Sequence, residues 1–319
     1  MKKYLILLLI VPIAISMILT MVAETTAAEK ITVGIDVKTL DNEYFVNVLN
    51  GAKEECKKRG WDLIDVQCAN DPDLQQKIMG DFAAKGVDIV VTLCSTDPKT
   101  MQSVISPLTE KKIPVVGLDS GVLGSVVTIY ACDDIPGGEQ QAQWLLDKIG
   151  TKGNIIYLEG IPQSTAVNRL TGNMNIYSKY PDLKVTTQIA NWDMEEGMIV
   201  MENMLQRFTK IDGVSVGNDT MALGAVAAVE SAGRLNEVVI VGWDGISEAI
   251  KSIKEGKLAA TLWADSTQLG REGIIIAEKI LNNEKFDYIV RKFDWGEEKA
   301  IILQTKMIDK SNVNELFPQ

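Results

Sequence analysis

Residues 213–245, GVSVGNDTMALGAVAAVESAGRLNEVVIVGWDG, read as strand, turn, helix, loop, strand, turn. Gly213 to Gly217 is a short β-run closed by glycine. Asn218-Asp219-Thr220 suits the cap of the helix that follows, in which Ala222, Ala225, Val226 and Val229 share one face. Val238 to Val241 is β-branched throughout and too apolar to keep one face in water, which puts it in a parallel sheet covered on both sides. Asn218 and the pair Trp243-Asp244 therefore fall at the carboxyl ends of two parallel strands, where open α/β sheets bind small ligands. The amide and the carboxylate are able to bond vicinal hydroxyls, and the indole to cover the apolar C–H face of a ring. The constellation suits a neutral, hydroxyl-rich molecule such as a sugar.

The rest of the chain extends the same alternation. Strands at 31–35, 61–66, 87–93 and 114–118 alternate with helices whose buried stripe begins Phe45, Val48, Leu49, Ala52 and Cys56. A second array starts near Gly153, with strands at 154–158 and 185–189 and a helix carrying Arg169. The fold class predicted is α/β, with two doubly wound parallel-sheet lobes. Pro114-Val-Val-Gly-Leu-Asp-Ser-Gly121 repeats the outline of Val239-Ile-Val-Gly-Trp-Asp-Gly245. Each copy follows a polar strand end, Cys94-Ser-Thr-Asp97 in one and Asn218-Asp219 in the other, at nearly equal intervals. Two copies with a carboxylate at each rim, Asp119 and Asp244, imply a cleft between facing rims. The segment 126–134 is expected to connect the lobes, and a last strand is expected at 286–293.

Composition narrows the function. Lys2 and Lys3 precede an apolar run from Leu5 to Val22 and the small residues Thr25 to Ala28. Residues 1–28 are therefore expected to be a signal peptide, with an uncleaved membrane anchor as the alternative, and the protein to be exported to the periplasm. The remaining chain of about 290 residues suggests two domains. A net charge of −11 repels phosphate backbones, so nucleic acid is not an expected partner. The chain has no histidine, which excludes Ser-His-Asp and Cys-His catalysis and every His-containing zinc site. Cys56, Cys68, Cys94 and Cys132 have no C-x-x-C spacing, so free, mostly buried thiols are expected and no metal. No phosphate loop, dinucleotide fingerprint or nucleophile elbow occurs, and no cofactor is expected. Asp119 and Asp244 have the makings of a glycosidase pair, but acceptance of hydrogen bonds from hydroxyls is the preferred role.

Among the aromatics, Tyr44 and Phe45 are adjacent, so one of them is expected to face the cleft. Trp192 and Trp243 lie just past strands, where a large ring has little core to fill, and both are expected to touch ligand. Arg169 offers a planar fork that serves two hydroxyls.

These stretches resemble the ribose-binding-like, type I solute-binding proteins of ABC sugar importers. The resemblance rests on Gly217-Asn-Asp-Thr-Met-Ala-Leu-Gly-Ala225, Ile240-Val-Gly-Trp-Asp-Gly245 and Gly256-Lys-Leu-Ala-Ala-Thr261. Thr39-Leu-Asp-Asn-Glu-Tyr-Phe45 and Val115-Val-Gly-Leu-Asp119 support it. It implies ligand contacts from Asn42, Tyr44, Phe45 and Asp119 in one lobe, and from Arg169, Trp192, Asn218, Trp243 and Asp244 in the other. Cys94, Ser120 and Asp265 are counted in the pocket with them. The implied hinge has three segments, at Cys132-Asp133, Ala264-Asp265 and Phe293-Asp294. That gives an N-terminal lobe of 29–132 plus 265–293 and a C-terminal lobe of 133–264 plus 294–319.

The sequence departs from ribose binders where specificity is made. Ser120 replaces an Arg, Cys94 an Asn, Ala264 a Gln, and Lys38 a small polar residue. A different pentose or hexose, a deoxy sugar or a polyol is expected at least as readily as ribose. The resemblance further implies a monomer that closes on a monosaccharide or polyol and delivers it to ABC transporter permease subunits. Presentation of the sugar to a chemoreceptor or sensor kinase is the alternative, and a secreted glycoside hydrolase a third possibility.

Overall fold

The computed structural model describes residues 30–318 apart from 94, 294 and 295. The signal segment, Cys94 and Asp294, all singled out above, lie outside the described residues. The first array runs β1 (Thr32–Val37), α1 (Glu43–Arg59), β2 (Asp62–Gln67), α2 (Pro72–Lys85), β3 (Ile89–Leu93), α3 (Pro98–Val104), α4 (Ser106–Glu110), β4 (Val115–Leu118) and β5 (Val127–Tyr130). The second runs α5 (Asp134–Ile149), β6 (Gly153–Glu159), α6 (Ser164–Tyr177), β7 (Leu183–Ile189), α7 (Met194–Arg207), β8 (Gly213–Val216), α8 (Asp219–Ser231), β9 (Val239–Asp244), α9 (Ser247–Glu255) and β10 (Ala260–Ala264). The chain ends with α10 (Ser266–Leu281), β11 (Ile289–Phe293), β12 (Gly296–Ile302), β13 (Thr305–Asp309) and α11 (Val313–Leu316).

Local chemistry sets these boundaries. The Asn42 side chain accepts from the Tyr44 N–H and starts α1, and Gly60 ends that helix at φ 68°. Asp71 caps α2, Pro72 occupies its first turn, and Gly86 ends it at φ 69°. Strands β3 and β4 are buried along their whole length, as parallel strands covered on both faces must be.

Two sheets result. The first has the order β11-β12-β5-β4-β3-β1-β2 and the second β13-β10-β9-β8-β6-β7. Counted within each lobe, the parallel strands follow the same order, 2-1-3-4-5, which makes the lobes structural repeats. In that order β4 corresponds to β9 and β3 to β8, so Asp119 and Asp244 close equivalent strands. Helix α10 returns to the first lobe and packs on α1. Gly270 permits the approach, since a Cβ there would lie 1.9 Å from the Val48 carbonyl oxygen.

Three expectations need correction. The segment 126–134 is not all connection, because β5 occupies 127–130 and only 131–133 leads to α5. The passage from the first sheet to the second does not fall at Phe293-Asp294. Phe293 pairs with Gly296 at the tip of a β11–β12 hairpin, and β12 runs parallel to β5 inside the first sheet. The chain crosses only between Ile302 and Thr305, so residues 296–302 belong with the first lobe. The reason is Glu298, a charged residue that looks solvent-facing in sequence but is buried, bonded by the Tyr130 and Thr128 hydroxyls. Finally, β13 pairs antiparallel with β10 and closes the second sheet, a strand the sequence pattern did not announce. Cys56, Cys68 and Cys132 are free and buried.

Candidate ligand-binding cleft

A cavity of about 350 Å³ opens between the carboxyl ends of the two sheets. From the first lobe it is lined by Lys38, Thr39, Asp41, Asn42, Tyr44, Phe45, Asn70 and Asp119. The second contributes Ile161, Gln163, Thr165, Arg169, Asn191, Trp192, Asp193, Asn218, Thr220 and Asp244. Asp119 and Asp244 thus face one shared hollow.

Each rim carboxylate sits on backbone that few L-residues adopt. Asp119 has φ 67° and Asp244 φ 119°, which turns each side chain out of its strand. Asp119 Oδ1 accepts from the Tyr44 hydroxyl at 2.6 Å. Burial, then the Asp119 carboxylate, push the Tyr44 hydroxyl well above its usual pKa, so it stays protonated and donates. Below Asp244 lies Asp219, whose Oδ2 accepts from the Gly245 and Ile246 N–H groups at 2.7 and 3.1 Å and whose Oδ1 accepts from the Thr261 hydroxyl at 2.7 Å. Asp219 therefore fixes the turn that presents Asp244.

Arg169, nearly buried in the middle of α6, holds the second rim together. Its Nε donates to Asp134 at 3.0 Å and its Nη1 to the Gly217 carbonyl oxygen at 2.7 Å, with Asp244 Oδ1 at 3.7 Å. The guanidinium lies 4.3 Å from the Trp243 ring centroid and 5.8 Å from that of Trp192. Burial opposes the Arg169 charge, but the carboxylates of Asp134, Asp244 and Asp119 outweigh it and keep the group protonated. Burial pushes the Asp134 carboxyl up to about 6, with Arg169 opposing. The Asp244 carboxyl is pushed well above the usual range by burial first, again opposed by Arg169.

Trp192 follows β7 at φ 65° and lies on the backbone of Gly160, where a Cβ would come within 1.9 Å of the ring. Asn42 and Asn218 both cap helices through Oδ1, accepting from Tyr44 N and Met221 N at 2.9 Å, so a ligand meets their amide NH₂ groups.

Several expected residues stand elsewhere. Trp243 is fully buried in the core beneath Arg169 and does not line the cleft. It lies inside β9, where successive side chains alternate faces, so Trp243 and Asp244 point apart. Asp265 caps α10 by accepting from Gln268 N at 2.9 Å and is not among the lining residues. Ser120 also lies outside the lining; its hydroxyl is 3.5 Å from Thr165 of the other lobe. Tyr44 and Phe45 both reach the cavity, because the first turn of α1 stands at its wall and their rings meet edge to face at 5.3 Å. Unforeseen are Asn70, Gln163 and Asn191, which sit in turns and loops with no period to betray them, and Thr165 in the first turn of α6. Lys38 was visible as a substitution but not as a wall residue; it is nearly buried, with Nζ 5.6 Å from the Phe45 ring centroid.

Comparison with known proteins agrees with this architecture. Residues 33–285 match the model of the periplasmic binding protein domain. The ribose import binding protein of Bacillus subtilis (strain 168) is 35% identical over 81% of this chain and 84% of its own. That of Escherichia coli (strain K12) is 30% identical over 84% of this chain and 90% of its own. An ABC transporter periplasmic solute-binding protein from Actinobacillus succinogenes, solved with bound D-allose, superposes with a TM-score of 0.82 at 28% identity, covering 90% of this chain and all of that one. With its paired sheets and shared cleft, the chain belongs to the periplasmic binding protein family, in the ribose-binding-like, type I group.

Proposed function

We propose that this protein captures a neutral monosaccharide or polyol between its lobes, outside the cytoplasmic membrane, and delivers it to an ABC transporter permease without chemical change. The observation that carries the proposal is the composition of the cavity wall. Two carboxylates on equivalent strand ends accept hydroxyl hydrogens, and two asparagine NH₂ groups and Arg169 donate to hydroxyl oxygens. The Trp192 and Phe45 rings offer apolar faces for C–H groups. Four carboxylates (Asp41, Asp119, Asp193, Asp244) against two cations (Lys38, Arg169) disfavour an anionic ligand. Ribose import by relatives of this chain and D-allose bound to a structural neighbour support the same ligand class.

The energetics are ordinary. A micromolar dissociation constant needs about −8 kcal/mol. Over roughly ten heavy atoms that is about 0.8 kcal/mol each, under the ceiling for small ligands. The lobes close on the ligand and the closed form docks on the permease. A thermal-shift screen of pentoses, hexoses, deoxy sugars and polyols tests the proposal. A true ligand at 100 times its dissociation constant adds about 2.7 kcal/mol of stability. No shift with any of them, or release of product from an offered glycoside, refutes it.

A further inference from the structure

Glu43, the first residue of α1, reaches over the mouth of the cleft to the other lobe. Its oxygens accept from the Ser247 backbone N–H at 3.1 and 3.2 Å, and Oε1 accepts from the Ser247 hydroxyl at 2.5 Å. Ser247 opens α9, whose own N-cap residue is Ile246, with no side-chain oxygen and no side-chain capping bond. Helices α1, α2, α7, α8 and α10 are each capped by the residue just before them. The first-turn donor of α9 is served instead from across the cleft, by a carboxylate placed favourably at a helix N-terminus. Glu43 does not line the cavity, but its neighbours Asn42 and Tyr44 do, and Ser247 stands three residues past Asp244.

We propose that Glu43 is a positioning residue for ligand capture, capping α9 in trans only when the lobes are together. The inference rests on the reading of the cleft as a ligand site. Opening the cleft returns both groups to water, so the contact adjusts the closed population rather than locking it. Because it touches no ligand, it favours every ligand equally: it sets affinity and leaves specificity alone.

The test is a double-mutant cycle of Glu43→Ala and Ser247→Pro. Ser247 is the first helical residue, where proline is favoured, and Ile246 at φ −66°, ψ 157° already has the backbone a residue before proline needs. Ser247→Pro thus deletes both donors and keeps the helix. Affinities for D-ribose, D-allose, xylitol and myo-inositol are measured by calorimetry, and dissociation by stopped-flow tryptophan fluorescence. Each single variant is expected to weaken every ligand the parent binds by the same factor, about three- to tenfold, mainly through faster dissociation. The double variant should be no worse than either single, Glu43→Gln should fall between parent and alanine, and the ligand-free melting temperature should hold. Additive losses, a changed ranking of ligands, or a ligand-free melting temperature that falls with affinity would overturn the proposal. A parent that binds none of the four refutes the cleft reading and the latch with it; a parent that binds, with an additive cycle, refutes the latch alone.

Discussion

Asp244 is the residue whose loss separates binding from folding most cleanly. Replacing it with asparagine keeps the side-chain shape and a residue tolerant of the positive φ, while alanine removes both acceptors. Neither change orphans Arg169, which keeps Asp134 at 3.0 Å and the Gly217 carbonyl oxygen at 2.7 Å. Neither disturbs the turn beneath, which hangs on Asp219. A desolvated carboxylate is removed from a site where burial already pushes its pKa up, so ligand-free stability is expected to stay level or rise. What is lost is hydrogen bonding between ligand hydroxyls and a buried carboxyl group, about 1–3 kcal/mol, or roughly 5- to 150-fold in affinity. Calorimetry with the strongest ligand from the sugar screen, paired with thermal melts of the ligand-free variants, measures both quantities. Dissociation constants within about a factor of two of the parent for both variants would refute the assignment, as would a melting temperature that collapses together with affinity.

Asp119→Ala behaves differently, because it leaves the buried Tyr44 hydroxyl without its acceptor; melts should show a loss of about 1–3 kcal/mol, largely restored by adding Tyr44→Phe. Gly160→Ala puts a methyl 1.9 Å from the Trp192 ring and should displace it, weakening binding about tenfold and shifting the indole emission to the red. Burial raises the Asp36 and Asp219 carboxyls from 3.8 to about 7, so the folded state holds protons that the unfolded state has released. Stability should therefore fall as pH rises from about 4 through about 7 and level off above that, and Asp219→Asn should flatten the slope of melting temperature against pH. Uronates and sugar phosphates should fail to compete in the calorimeter with the neutral sugars that bind, given the surplus of carboxylates on the wall.

The sequence was most readable where burial is continuous. The β-branched run of β9 and the apolar face of α8 admit few environments, and the repeated motif ending in Asp119 and Asp244 reports the equivalence of β4 and β9. Trp243 shows where the pattern carries its own answer: two adjacent strand residues cannot both face the cleft, and it is Asp244 that lines it while Trp243 is buried. The strand β12 was hidden because its buried Glu298 satisfies Tyr130 and Thr128, a pairing that only the folded sheet creates. The Arg169–Asp134 pair was hidden for the same reason, since nothing local links a helix interior to the residue that opens an earlier helix.

The two lobes share a strand order but not a chemistry. At the first rim, Asp119 is held by a neutral donor, the Tyr44 hydroxyl, and the residue equivalent to Asp219 is Ser95, which bonds Gln75 instead of bracing the turn. At the second, Asp244 stands over Asp219 and beside Arg169, which is itself anchored by Asp134 and backed by Trp243. The second wall is thus a braced ionic cluster, whose parts bond one another directly. In the first wall Asn42, Glu43 and Tyr44 all stand on the opening turn of one helix, so a rigid movement of α1 carries a hydroxyl acceptor's partner, an amide donor and the cross-cleft cap together. Gene duplication alone would give two equal jaws. Here the second wall is a network of mutually bonded charges, whereas the first presents its donors and its cross-cleft cap from the opening turn of one helix.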